Sequence, residues 1–203
     1  MGGKRIPGKC KGMKLERRLP GATYAISNTG PLISAFQSSS FALLTRIFTR
    51  VLIPPACAAE LRRHGWEEVQ ISSPQLAIVR LTPAEEKRAI TIARRIAEHP
   101  ATDDPVAENH LGEAQAIALA LRSEHRNDLL LLDELAAREI AKQMGAKLSG
   151  FPGVLLLAVQ VGLISAEELK ARLEACRYKG THYGAELIEQ VYEMAKLGRR
   201  KAK

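Results

Sequence analysis

Leu129-Leu130-Leu131-Leu132-Asp133 sets four consecutive leucines in front of a carboxylate. Such a run has no polar face to offer solvent, so residues 128–132 read as a strand buried on both sides, the kind found in parallel sheets covered by helices. Residues 24–27 form a second short apolar run. It is closed by Asn28-Thr29-Gly30-Pro31, turn chemistry leading into a helix, with Pro31 suited to a first turn. Val51-Leu52-Ile53 reads as another strand, stopped by Pro54-Pro55 because proline cannot continue a central ladder. Residues 76–81 and the brief Lys147-Leu148 complete the set.

Helical stretches separate these runs, at residues 41–48, 56–64, 83–98, 112–122 and 134–144, followed by 153–161, 166–176 and 185–197. Thr82-Pro83-Ala84-Glu85 is a helix start, with Thr82 as cap and Glu85 completing a capping box. Gly145 ends the helix before it. Strands alternating with helices predict an α/β fold, a three-layer α/β/α sandwich with a central parallel sheet of about five strands, plus C-terminal helices. The expected organisation is a basic arm at 1–21, one domain at 22–197 and a basic tail at 198–203.

The formal charge of +8 sits mostly in the ends. Residues 1–18 carry seven cations against Glu16, a net of +6, and residues 196–203 add five more, which leaves residues 19–195 at −3. The ends suit phosphates; the body suits cations. Only 4% of residues are aromatic, which argues against recognising bases on exposed rings. Cys10, Cys57 and Cys176 are odd in number and far apart, so neither a disulfide framework nor a zinc site is supported. Without an apolar run long enough for a membrane or a signal peptide, the expected setting is cytoplasmic.

In an open α/β sheet the ligand crevice lies beyond the carboxyl ends of the strands. The polar residues that end strands are Asn28 and Asp133, while Glu60 follows the second strand and Glu113 opens the Ala-rich helix before the fourth. Carboxylates brought together are costly unless a cation neutralises them, and an oxygen-only set selects Mg²⁺ or Mn²⁺. Plainer readings exist: Asp133 as the cap of the next helix, Glu113 as an acid favoured by a helix dipole, and Glu60 as a surface charge beside Arg62 and Arg63. Glu134, Asp103 and Asp104 read as exposed charges, and Trp66 as a packing residue at a helix end. The five histidines show neither zinc nor acid-base spacing and read as structural or exposed.

Ile26-Ser27-Asn28-Thr29-Gly30-Pro31-Leu32-Ile33, Ile53-Pro54-Pro55 with Glu60-Leu61, Leu111-Gly112-Glu113-Ala114 with Ala116-Ile117-Ala118-Leu119-Ala120, and Leu131-Leu132-Asp133-Glu134 with Ala137-Arg138 together resemble PIN domains. The closest resemblance is to a prokaryotic branch often encoded like the toxins of toxin-antitoxin modules, and it runs from about residue 24 to 193. It implies a central first strand with the fourth beside it, and a metal-dependent ribonuclease site. The family's four acids fall on Asn28, Glu60, Glu113 and Asp133. Glu113 and Asp133 would be ligands of Mg²⁺ or Mn²⁺, Glu60 a ligand or outer base, and Thr29 an auxiliary that bonds water or phosphate. The implied partners are RNA, a small antitoxin protein and a second copy of the chain, docked on the apolar helices from Gly153 onward. The departure is Asn28, where the family carries Asp; an amide offers one neutral carbonyl oxygen. The competing reading is thus a catalytically impaired PIN fold that binds RNA or a protein. A nucleotide-binding doubly wound protein is disfavoured, because no G-x-G-x-x-G follows the first strand and no Walker lysine is present.

Overall fold

The computed structural model describes residues 23–66, 73–181 and 183–201. Five strands, β1 (Tyr24–Ser27), β2 (Arg50–Ile53), β3 (Leu76–Ile78), β4 (Leu129–Leu131) and β5 (Lys147–Ser149), form one sheet in the order β3-β2-β1-β4-β5. All pairings are parallel, with Ala25 opposite both Val51 and Leu129. β1 is central and β4 lies beside it, as the resemblance implies.

The period of two along each strand sorts the interior into two cores, one per face. Ala25, Val51, Ile53 and Leu131 face one core; Tyr24, Ile26, Leu52, Leu130 and Leu132 face the other. That is why the leucine run needs no polar member: neither face of β4 meets water, and each fully buried leucine contributes about 1.5–3 kcal/mol. The second core is completed by α4 (Pro83–Ala97), α5 (Leu111–Ala120) and α6 (Leu135–Gln143). The first is completed by α1 (Thr29–Gln37), α2 (Phe41–Ile47), α3 (Pro55–Arg63), α7 (Phe151–Gln160), α8 (Ala166–Tyr178) and α9 (Ala185–Lys201). The result is the expected three-layer sandwich.

Local chemistry sets the boundaries. The capping box at Thr82 is present in both directions, and Ser165 with Glu168 forms a second at the start of α8. Gly145 adopts a φ of 84°, which closes α6 at little steric cost. Trp66 stacks on Phe36, 4.6 Å between ring centroids, where α3 ends. β3 is shorter than expected: the Val79 N–H still donates to Ile53 O at 2.8 Å, and the chain then turns outward at exposed Arg80. α7 begins at Phe151, two residues early, because Pro152 is at home in a first turn. α9 runs past 197 to Lys201, into the expected tail. In the apolar α7, Phe151, Val154, Leu155, Ala158 and Val159 are buried in the chain's own core; the large apolar side chains left exposed from there on include Val161, Met194 and Leu197. The basic arm, Cys10, His182 and the last two residues lie outside the described residues. No helix among the described residues is long and apolar enough to cross a membrane.

Candidate active site

From β1 the chain proceeds to β2, and from the adjacent β4 to β5 on the other side, so a crevice opens beyond the carboxyl ends of β1 and β4. Asn28 ends β1 there. Its N–H donates to Leu131 O at 3.1 Å, extending the ladder by one residue and fixing the backbone at the N-cap of α1. The side chain does not cap that helix. Instead Nδ2 donates to Glu113 Oε1 at 3.0 Å, which leaves the buried Oδ1 without a partner. Turning the amide over would set its carbonyl oxygen against the Glu113 carboxylate. An orphaned buried acceptor costs about 1–3 kcal/mol, and a bound cation would remove that cost.

Glu113 sits in the first turn of α5, and burial pushes its carboxyl above the usual range. The Glu60 charge pushes the same way, while its own N–H, the Asn28 amide and His110 pull it down. Glu60 projects from α3, accepts from Thr29 Oγ1 at 2.6 Å and has His64 Nε2 at 3.9 Å. The Thr29 hydroxyl thus orients the Glu60 carboxylate. Gly112 keeps α3 and α5 close: a Cβ there would lie 3.3 Å from Glu60 Oε2 and 3.5 Å from Cys57 Sγ. Cys57 donates to Gly112 O at 3.4 Å, and burial, then the Glu113 and Glu60 charges, push its thiol far up, against the Thr29 contact. It is an inert packing group.

Asp133 stands on the other flank of Asn28. Oδ1 accepts the Phe151 N–H at 3.0 Å, at the start of α7, and Oδ2 accepts from the Tyr183 hydroxyl at 2.9 Å. Ser34 Oγ lies 2.9 Å from that hydroxyl. Burial pushes the Asp133 carboxyl up, opposed by the Phe151 N–H, Tyr183 and the Arg138 charge. Asp133 does not cap the helix that follows it; Glu134 does, accepting from the N–H groups of Ala136 and Ala137. Gly30 separates the flanks, since a Cβ there would have Asn28 Oδ1 at 3.9 Å and Asp133 Oδ2 at 4.0 Å. Two acceptors of opposite flanks thus border one glycine-sized gap.

The four sequence-derived positions gather around Asn28 in two groups, Glu60 and Glu113 with Thr29 on one side, and Asp133 across Gly30. Among the described residues no three His, Cys, Asp or Glu side chains are grouped so as to hold a metal ion. The carboxylates of Glu60, Glu113 and Asp133 and the Asn28 amide present oxygens, which suit a hard divalent cation, with His64 Nε2 3.9 Å from Glu60 Oε1. A cavity of about 740 Å³, walled in part by Leu135, Pro152, Tyr183 and Leu187, opens beside Asp133. Asp104 closes its own loop, accepting from the Val106 N–H at 2.9 Å and Asn109 Nδ2 at 2.8 Å.

Sequence reasoning missed Tyr183 and Ser34. No periodicity relates Tyr183 to Asp133 fifty positions away. It also missed Gly150, where a Cβ would stand 2.5 Å from Asp133 Oδ1; a glycine just before a helix start was the available sign. Among known proteins, no curated protein and no solved structure matched the chain. The PIN domain family matches residues 24–197. That match spans every strand and both flanks of the crevice, and the chain accordingly belongs to the PIN domain family, a family of nucleases that generally use divalent metals.

Proposed function

We propose that this protein is a metal-dependent ribonuclease of the PIN type, with Asn28, Glu60, Glu113 and Asp133 as its working residues, Thr29 as an auxiliary, and Mg²⁺ or Mn²⁺ as cofactor. The observation that carries this reading is the unpartnered, buried Asn28 Oδ1, held by Glu113 and bordering the same gap as Asp133 Oδ2. The residues fit such an ion: Mg²⁺ keeps several waters and takes one or two protein carboxylates, which Glu113 and Asp133 supply. When bound, the ion would activate water and offset charge developing on the phosphoryl oxygens. Asn28 and Thr29 fix the Glu113 and Glu60 carboxylates, while Tyr183 and the Phe151 N–H fix Asp133. Glu60, about a third exposed, would serve as a further ligand or as the outer base that takes a proton from an attacking water. A role as the toxin of a two-protein module, with a small antitoxin partner and paired copies of the chain, rests on the sequence resemblance.

A second reading has its own observation. The Asn28 amide already neutralises one side of Glu113, as suits a PIN fold that binds RNA or protein without cleaving. Metal-titrated cleavage of a structured RNA separates the two readings, with Asp133→Asn as the inactive control and Asn28→Asp as a gain-of-charge variant. Cleavage by the wild type that Asp133→Asn removes supports the enzyme; no cleavage by either the wild type or Asn28→Asp sinks it.

A further inference from the structure

We infer that the protein carries a second site at the amino ends of β4 and β5, the opposite end of the sheet from Asn28 and Asp133, and that it binds a phosphate-type oxyanion. The starting point is a pair that the five histidines' sequence spacing did not reveal. His125 Nδ1 lies 2.9 Å from Asp128 Oδ2, and both side chains are only 2% exposed. Asp128 occupies the Nδ1 side of the ring, so Nε2 is the position left for a ligand. That Nε2 is buried and has no partner in the structure.

His125 lines a cavity of about 390 Å³ together with Arg88, Arg122, Arg126 and Lys147. Asp128 is the only acid among the described residues that line it, and it is engaged with His125. Two of the four cations are already occupied: Arg122 is clamped by Glu85 at 2.7 and 2.8 Å, and Lys147 Nζ donates to Asn127 Oδ1 at 2.9 Å. The side chains of Arg88 and Arg126 make no hydrogen bond or ion pair with any described residue, so two guanidiniums remain to fork onto an oxyanion.

The carboxyl ends of α5 and α6 also reach the cavity, through Leu121 and Met144, and their carbonyls favour nearby cations. They do not account for the ring nitrogen, since a carbonyl in reach would have taken an Nε2–H. A monohydrogen phosphate presents both bare oxygens and a P–OH, so it can accept from an imidazolium Nε2–H or donate to a neutral Nε2. The volume exceeds a single phosphate and admits a nucleoside monophosphate. The shared chemistry is a phosphoryl oxyanion, whether on a small molecule or on an RNA strand.

The test uses the full chain with ¹⁵N-labelled histidine and three probes: inorganic phosphate, adenosine 5′-monophosphate and a short unstructured oligoribonucleotide, all in EDTA. The expected result is a saturable shift of the His125 ring resonances with at least one probe. Arg88→Ala and Arg126→Ala, both at exposed positions, should each weaken binding by about tenfold or more, as losing a charge-assisted contact does. Saturation by phosphate or the monophosphate assigns a small-molecule site; saturation by the oligoribonucleotide alone assigns an RNA-backbone site. Either supports the inference. His125 resonances unmoved by all three probes, or binding unchanged in both arginine variants, would overturn it, whatever the cleavage assay shows.

Discussion

Replacing Asn28 by Asp should make the metal-free protein less stable and the metal-loaded protein more so. In the native chain Nδ2 donates to Glu113 Oε1 across 3.0 Å. The substitution removes a hydrogen bond to a charged group, worth about 1.5–3 kcal/mol. It also sets a second carboxylate oxygen at that spacing from the first, which at an effective dielectric of 20 costs about 5 kcal/mol. Glu113 is already pushed toward its protonated form by burial, so a shared proton absorbs part of the repulsion. The net loss in EDTA is then at least that of the hydrogen bond, a fall in melting temperature of roughly 5–10 °C for a domain of this size. Saturating Mn²⁺ should reverse the order, because the variant presents one more anionic ligand to the ion. Circular-dichroism melts of both proteins at neutral pH, in EDTA and then in Mn²⁺, provide the measurement. Equal melting temperatures in EDTA would mean the amide does not hold Glu113. An equal upward shift by Mn²⁺ in both proteins would mean that position 28 does not face the ion, and the reasoning about the site would fail.

Tyr183→Phe keeps the ring in the core and deletes only the hydroxyl that clamps Asp133; Mn²⁺ affinity measured by calorimetry should fall about 10–100-fold, as loss of an outer contact to a ligand does, with the circular-dichroism spectrum unchanged. Gly150→Ala would put a methyl 2.5 Å from Asp133 Oδ1; expelling the carboxylate from the Phe151 N–H should cost about 1.5–3 kcal/mol in urea unfolding and weaken Mn²⁺ binding as well. Glu85 is held down to about 2, chiefly by the Arg122 hydrogen bond. A depressed carboxylate contributes stability above its unfolded pKa and loses it as pH falls through the folded one. Glu85→Gln should therefore lower stability by roughly 1.5–3 kcal/mol at pH 7, and the gap between variant and wild type in urea titrations should narrow from about pH 4 toward pH 2.

The sheet was legible because its strands are short apolar runs with neither face in water, and because proline and glycine stop them where packing also does. Asn28 and Asp133 could likewise be read, since topology carries a residue that ends a central strand to the crevice, whereas Glu60 and Glu113 sit on the helices α3 and α5. What could not be read is how each carboxylate is held. Asp is a common cap, yet α6 is capped by Glu134, whose longer side chain folds back onto its own first turn, and Asp133 is left to turn toward α7. Tyr183 looks like any buried aromatic until α8 and α9 pack against α1 and bring its hydroxyl over the crevice. Such contacts arise from three-dimensional packing at large sequence separation, which no local pattern encodes.

The Tyr183 clamp also bears on the order in which the crevice assembles during synthesis. A ribosome delivers the chain from the amino end at roughly 5–20 residues per second. Asn28, Glu60, Glu113 and Asp133 all emerge before the segment that supplies the hydroxyl. The nascent sheet can therefore assemble with Asp133 still unclamped, and the grip on that acid arrives only after the segment that carries Tyr183 has left the ribosome.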